Sequence, residues 1–303
     1  MTQNLTRRDF ALSSAGLAAS ALLPFDAFAQ SHDEPITRAI PGSGERVPVV
    51  GLGTASVFDD SDDATRRAAG AVIKTLADAG GRIIDTASTY GSAETVIGDA
   101  VAAAGLRDRI FIATKLESPD AAELKRSLAR LKTAKLDLLQ LHNVRDPQQS
   151  LAAFRDWKAQ GVCRYTGITS TFHGDFAAVE AVLRREKPDF VQIDYSLDDR
   201  EAEKRLLPAA AEVKAGVLTA LPFGRGRLFR AVRGKELPPW AADFDAKSWA
   251  QFFLKYLLGD PRVTAVIPGT SEPAHMADNL GAARGRLPDP DQRQKMITFI
   301  EGL

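Results

Sequence analysis

A chain of 303 residues, 45% of them hydrophobic, can bury one large core, and a parallel barrel of about 250 residues would use most of it. Its 39 basic and 39 acidic residues cancel to zero formal charge without long single-sign runs, which argues against nucleic acid or an anionic membrane and for a small-molecule partner. The single cysteine, Cys163, excludes an internal disulfide and reads as a small core residue.

The first 29 residues differ in character from the rest. Thr6-Arg7-Arg8-Asp9-Phe10 precedes a mildly apolar run, Ala11 to Leu23, that is shorter than the roughly 20 residues a spanning helix needs. Ala27-Phe28-Ala29 then places small residues where a signal peptidase reads them. This segment resembles a twin-arginine leader. The resemblance implies export of the folded protein by the twin-arginine machinery, cleavage after residue 29, and a mature domain of residues 30–303 in the periplasm or otherwise outside, without a permanent anchor. Gln30 to Glu34 reads as a short disordered start to that domain.

From about residue 35, short β-rich runs alternate with longer helical patterns, the signature of βα units and a parallel sheet. Ile36 to Ile40 and Arg46 to Val49, joined around Gly42-Ser43-Gly44, predict a hairpin suited to plug the N-terminal end of a barrel. Eight strand runs follow: Val49 to Gly53, Arg82 to Asp85, Ile110 to Lys115, Leu136 to His142, Tyr165 to Ser170, Phe190 to Asp194, Gly216 to Ala220 and Val263 to Ile267. Among the intervening segments, Ala64 to Ala79, Glu94 to Ala104, Ala121 to Leu131 and Leu151 to Gln160 repeat apolar residues at helical spacing. Gly80-Gly81, Gly105 and Gly161 supply stops. Leu221 to Ala246 is the longest irregular stretch, and Gln292 to Ile300 is a final amphipathic helix after the barrel. The expected fold is therefore α/β, a (β/α)8 TIM barrel with an N-terminal β-hairpin and an extra C-terminal helix.

Asp85, Lys115 and His142 close three successive strand runs, and Tyr90 lies five residues beyond the first. Parallel barrel strands deliver their C-terminal ends to one face, so these residues converge there. Each alone has an ordinary reading as a helix cap, an ion-pair partner or a rim histidine. Together they resemble the Asp, Tyr, Lys and His tetrad of the aldo-keto reductases. The likeness extends through Val50-Gly51-Leu52-Gly53-Thr54, Ser92-Ala93-Glu94, Gly167-Ile168-Thr169-Ser170, Val191-Gln192, and Ile267-Pro268-Gly269-Thr270-Ser271 with Asp278-Asn279-Leu280.

The resemblance implies hydride transfer between NADP(H) or NAD(H) and an aldehyde, ketone or alcohol. Reduction puts negative charge on the carbonyl oxygen, so a proton donor must stand beside it. Tyr90 is the candidate acid, Lys115 the ammonium that eases loss of its proton, and Asp85 the carboxylate that aims Lys115. His142 orients the substrate oxygen or shares in proton transfer, two roles that the residues alone do not separate.

The family lays its cofactor across the barrel rim, without the Gly-rich dinucleotide fingerprint that this chain lacks. By resemblance Gly53, Thr54 and Asp85 approach the reacting end, while Thr169, Ser170 and Gln192 hold the carboxamide. Leu221, Phe223, Gly224, Arg225 and Arg227 belong to the loop that wraps the pyrophosphate. Gly269, Thr270, Ser271, His275, Asp278 and Asn279 would take the adenosine end. Ala220 stands where relatives stack an aromatic ring, with Phe223 as its candidate replacement. Gly269 and His275 stand where NADP(H)-preferring relatives often carry Lys and Arg, which leaves NAD(H) or dual use open beside the expected NADP(H).

Phe58 and Trp240 are candidate apolar walls for a substrate pocket completed by Tyr90 and His142. The chain stops soon after its last helix, so an open pocket is expected. Trp157 reads as shell packing and His173 as a solvated loop histidine, and no His/Cys/Asp spacing suggests a metal. Two other functions fit the same residues: an exported nicotinamide-binding sensor or accessory subunit, and an isomerase or lyase that keeps its cofactor.

Overall fold

The computed structural model describes residues 34–144 and 146–303, so the leader expected at residues 1–29 lies outside the described residues. The chain first reverses at residues 40–45, where Gly44 takes a φ of 76°, a left-handed value that costs glycine nothing. This turn pairs β1 (Thr37–Ala39) antiparallel with β2 (Arg46–Pro48). Eight parallel strands follow: β3 (Leu52–Gly53), β4 (Ile83–Asp85), β5 (Phe111–Leu116), β6 (Leu136–His142), β7 (Cys163–Ser170), β8 (Phe190–Asp194), β9 (Gly216–Ala220) and β10 (Ala265–Val266). Each pairs with the next in sequence. Isolated bridges from Val50 to Val266 and from Gly53 to Gly269 join the last strand to the first and close the barrel.

β3 and β10 are shorter than their sequence runs because the seam between them is held by these single bridges rather than by a continuous ladder. The expected (β/α)8 architecture is otherwise the observed one, and the hairpin closes its base. Ile40 and Val47 enter the same buried cluster as Ile83, Phe111, Leu138 and Phe190 from the barrel strands.

The surrounding helices are α1 (Asp63–Asp78), α2 (Ala93–Ala103), α3 (Ala121–Arg130), α4 (Pro147–Ala159), α5 (Phe176–Glu186), α6 (Glu201–Lys204), α7 (Leu206–Val213), α8 (Arg227–Ala231), α9 (Trp249–Leu258), α10 (Pro273–Gly281) and α11 (Pro290–Glu301). Side-chain caps start several of them: Asp62 accepts from the Thr65 amide at α1, Asp120 from Ala122 at α3, and Ser248 from Gln251 at α9. At α11, Asp289 and Gln292 form a reciprocal capping box. α4 begins four residues before its predicted start because Pro147, with no amide to leave unpaired, suits the first helical turn. The stretch from 221 to 246 is less irregular than expected. It holds α8 and a 3-10 segment, Pro239–Phe244. No helix among the described residues is long and apolar enough to cross a membrane.

Side chains alternate along each barrel strand, and this parity positions the site. Phe111 and Ala113 point into the barrel from β5, Leu138 from β6, Tyr165 from β7 and Phe190 from β8. Counting on by two brings Lys115, Gln140 and Gln192 to the next inward layer, and counting on by four from Tyr165, past Gly167, brings Thr169 to the same C-terminal rim, where barrel loops build their sites.

Candidate active site

The inward layer at the rim is polar and tightly bonded. Lys115 Nζ donates to Asp85 Oδ2 at 2.7 Å and to the Thr86 carbonyl at 2.7 Å, with both ion-pair side chains almost wholly buried. Gln140 Nε2 donates to Gln192 Oε1 at 2.9 Å and to Asp85 Oδ1 at 3.3 Å, while Gln192 Nε2 donates to Asp85 Oδ2 at 3.1 Å. Asp85 thus accepts from three side chains. Lys115 also stands over the Tyr90 ring, 4.9 Å from its centroid, and the Tyr90 and His142 rings meet edge-on at 5.7 Å. The four residues expected to converge have done so.

The electrostatics follow from this burial. Desolvation raises the Tyr90 phenol above its ordinary value, and the opposing charge of Lys115 offsets only part of it. Tyr90 therefore holds its proton more firmly than the pairing with Lys115 alone suggested. Burial also works against the Lys115 ammonium, but the charges and hydrogen bonds of Asp85 and Tyr90 together lift it above the usual lysine range. His142 is lowered by burial and then by Lys115, with Glu117 and Asp85 pulling the other way.

A cleft of about 340 Å³ opens above this layer, lined by Asp85, Tyr90, His142, Thr169 and Gln192 together with Gly53, Thr54 and Gly269 across the seam. Ala220, Leu221, Phe223 and Arg225 form its far wall. A second cavity of about 490 Å³ shares Phe223 and Gly269 with the first and continues to Thr270, His275, Asp278 and Asn279, with Phe229 and Trp249 as aromatic walls. The loop between them is unusual in its backbone. Leu221, Gly224, Arg225 and Gly226 all take positive φ, at 52°, 55°, 52° and 79°. For Leu221 and Arg225 this costs on the order of 1 kcal/mol or more each, and runs of such residues turn neighbouring amides into anion-binding concavities.

Several expected site residues lie elsewhere. Ser170 is one residue beyond inward-facing Thr169, so it points out of the barrel. Its hydroxyl donates to Asp175 at 3.3 Å and accepts from the Phe172 amide at 3.2 Å. Gly224 packs under Asp198, whose carboxylate would lie 2.5 Å from an added Cβ, and Arg227 is held by Asp198 at 2.8 Å. Neither they nor exposed Ser271 line the cavities. Phe58, expected as a substrate wall, is fully buried in the shell between barrel and helices. Trp240 packs against Phe244, Phe252 and Phe299 with Lys295 over its ring, so it too belongs to the helical layer. Trp157 stacks on Phe154 in the shell, as expected.

Two groupings were not foreseen. Gln140, the partner of Asp85 and Gln192, sits two residues before His142 on the same strand, a parity signal that counting back from the strand end would have caught. His173, Asp194 and Asp199 bring one donor atom each within 4.8 Å of one another, the two aspartates from the end of β8 and the loop after it, and His173 from the turn after β7. His173 Nε2 lies 3.0 Å from Asp199, and Arg227 approaches the same carboxylate at 3.9 Å. Burial and then the Asp199 charge push Asp194 up to about 6, against the pull of Arg225, His173 and Arg227. With two guanidinium groups beside it, this grouping is an ion-pair cluster that anchors the rim loops.

A sequence pattern described as the Aldo/keto reductase family matches residues 49–295. The chain is 30% identical over 246 residues to an aldo-keto reductase from Mycobacterium avium, covering 78% of this chain and 80% of the relative. It is 29% identical over 252 residues to methylglyoxal reductase YeaE from Escherichia coli, covering 80% and 87%. Among solved structures, an aldo-keto reductase from Klebsiella pneumoniae in complex with NADPH superposes with a TM-score of 0.75 at 26% identity, over 88% of this chain and 95% of that one. A family match across the whole barrel, with the rim residues gathered in one cleft, leads to one conclusion: this chain belongs to the aldo/keto reductase family.

Proposed function

We propose that the protein is an NADP(H)-linked oxidoreductase that interconverts a carbonyl compound and its alcohol, with Tyr90 as the acid and base. The observation that carries this reading is the Tyr90 phenol, set between the Lys115 ammonium and the His142 ring at the mouth of the cleft. The residues present suit a nicotinamide nucleotide. Thr169 and Gln192 offer hydroxyl and amide groups to a carboxamide, the positive-φ loop at 221–226 offers a concavity to a pyrophosphate, and the second cavity offers Phe229 and Trp249 as flat faces for a base. The bound nicotinamide supplies or accepts the hydride.

The chain's own residues do the rest. Tyr90 gives its proton to the carbonyl oxygen as charge develops there, and takes one back in the oxidative direction. The buried Lys115 stabilises the tyrosinate that this leaves, and Asp85 keeps the ammonium charged and aimed. His142 flanks the same oxygen. The Klebsiella pneumoniae relative, solved with NADPH, supports NADP(H) as cofactor, with NAD(H) as a second substrate for the site. The decisive assay is carbonyl-dependent oxidation of NADPH and of NADH, followed by absorbance, with methylglyoxal among the substrates because the Escherichia coli relative is named for it. Oxidation of NADPH by at least one carbonyl is expected. Failure of both nucleotides across a broad panel would count against the reading and favour a sensor.

We infer further that residues 1–29 act as a twin-arginine leader. The support is the Arg7-Arg8 pair, the short apolar run after it and Ala27-Phe28-Ala29. Fractionation is expected to find the protein outside the cytoplasm with Gln30 as its first residue, and Arg7→Lys with Arg8→Lys to hold it inside. Recovery of an intact Met1 form from the cytoplasm of the native host would reject the leader.

A further inference from the structure

Glu117 follows directly on β5, and its Oε1 lies 2.6 Å from Nδ1 of His142 at the end of β6. A carboxylate has no proton to give, so at this distance the hydrogen sits on Nδ1. Thr89 Oγ1 is the next polar atom near that nitrogen, at 3.5 Å, too long to compete. The His142 side chain is mostly buried and lines the cleft, so its second nitrogen, Nε2, is the one left for a ligand.

We propose that Glu117 is a positioning residue that fixes the tautomer of His142, so that the neutral ring meets substrate as a hydrogen-bond acceptor and only the imidazolium is a donor. The inference rests on the carbonyl oxidoreductase reading and deepens it. A ketone or aldehyde oxygen has only lone pairs, and a lone pair on Nε2 repels it. The Glu117–His142 pair therefore sets the site by protonation state: the protonated pair supports carbonyl reduction and the neutral pair disfavours it. No proton leaves the pair in either case; Tyr90 remains the group that gives and takes one.

The charges facing the ring come from two strands and the residues just after them. Lys115 on β5 opposes the imidazolium, as does burial, while Glu117 after β5 and Asp85 on β4 favour it; Tyr90, in the loop after β4, presents its neutral ring edge. Glu117 is thus both the tautomer lock and the nearest support for the charged form.

The test reads the ring directly. The chain has four histidines, His32, His142, His173 and His275, so nitrogen-15 imidazole spectra of the purified protein are readily assigned with a His142→Gln variant. Neutral His142 is expected as the Nδ1–H form, and Glu117→Leu is expected to convert it to the Nε2–H form that an unconstrained side chain prefers. Glu117 is partly exposed, so its loss should leave the fold intact. In the wild-type protein kcat/KM for carbonyl reduction should fall about tenfold per pH unit above the His142 pKa, and in Glu117→Leu that limb should vanish because the neutral ring can then donate. An Nε2–H ring in the wild type, a tautomer indifferent to Glu117→Leu, or a reduction rate flat across the His142 titration would each overturn the proposal. Absence of turnover with any nucleotide would instead defeat the oxidoreductase reading, while the spectra still decide the role of Glu117.

Discussion

Tyr90→Phe is expected to lower kcat/KM for carbonyl reduction by a factor of about 10² to 10⁴, the usual worth of a positioned acid, while nucleotide binding changes little. The phenylalanine ring keeps the edge contact with His142 and the face toward Lys115, so what is lost is the hydroxyl alone. Because burial outweighs Lys115 and keeps the phenol protonated above its ordinary range, the wild-type enzyme carries this proton throughout the neutral region. Rate loss from deprotonation of Tyr90 is thus expected only on the alkaline side. Steady-state rates and nucleotide titration by fluorescence quenching separate the two effects. A variant that reduced every accepted carbonyl at the parental rate would remove Tyr90 from the chemistry.

Asp85→Ala is expected to be the most damaging single change to the folded state. It strips the buried Lys115 ammonium of its carboxylate and leaves the Gln140 and Gln192 amides each without one acceptor. Breaking a buried ion pair from one side costs about 3–5 kcal/mol, most of it the price of an uncompensated charge. For a domain of this size that corresponds to a fall in Tm of roughly 10 °C. Lys115→Met leaves the Asp85 carboxylate still accepting from the Gln140 and Gln192 amides, so it should cost less than Asp85→Ala, and the pair of variants makes the test a comparison within one site.

The pH dependence has a definite sign. Lys115 is held above 10.5, so the folded state keeps a proton that the unfolded chain has released. The pair's contribution is complete below about pH 10 and is lost as pH rises through the folded-state value. Thermal melts between neutral and strongly alkaline pH should show this loss in the wild type and not in Asp85→Ala. If Asp85→Ala melts with the wild type, the ion pair does not stabilise the barrel.

Both predictions rest on a layer of side chains whose members are local in sequence but whose meeting is not. The strand runs, the glycine stops and the hairpin are short-range signals of backbone preference, and they appear in the structure at nearly their expected positions. From them follows the barrel, and from the barrel follows the convergence of strand ends. Errors arose where a side chain's direction mattered. Thr169 and Ser170 read as one motif, yet alternation along β7 sends the first into the cleft and the second toward Asp175. Phe58 follows the first barrel strand and Trp240 lies in the long loop after β9, yet a large apolar ring gains more by joining the helical shell than by standing at a wet rim.

The sequence by itself determined the alternation of β and α units, and through it the face on which Asp85, Tyr90, Lys115 and His142 must gather. Only the tertiary structure decided which neighbours tune them: Gln140 and Gln192 beneath Asp85, and Glu117 against His142. The reason is physical. Backbone propensity and periodicity act over a few residues and survive in the linear text, whereas hydrogen-bond partnership depends on separations of a few tenths of an ångström between strands that the chain visits many residues apart.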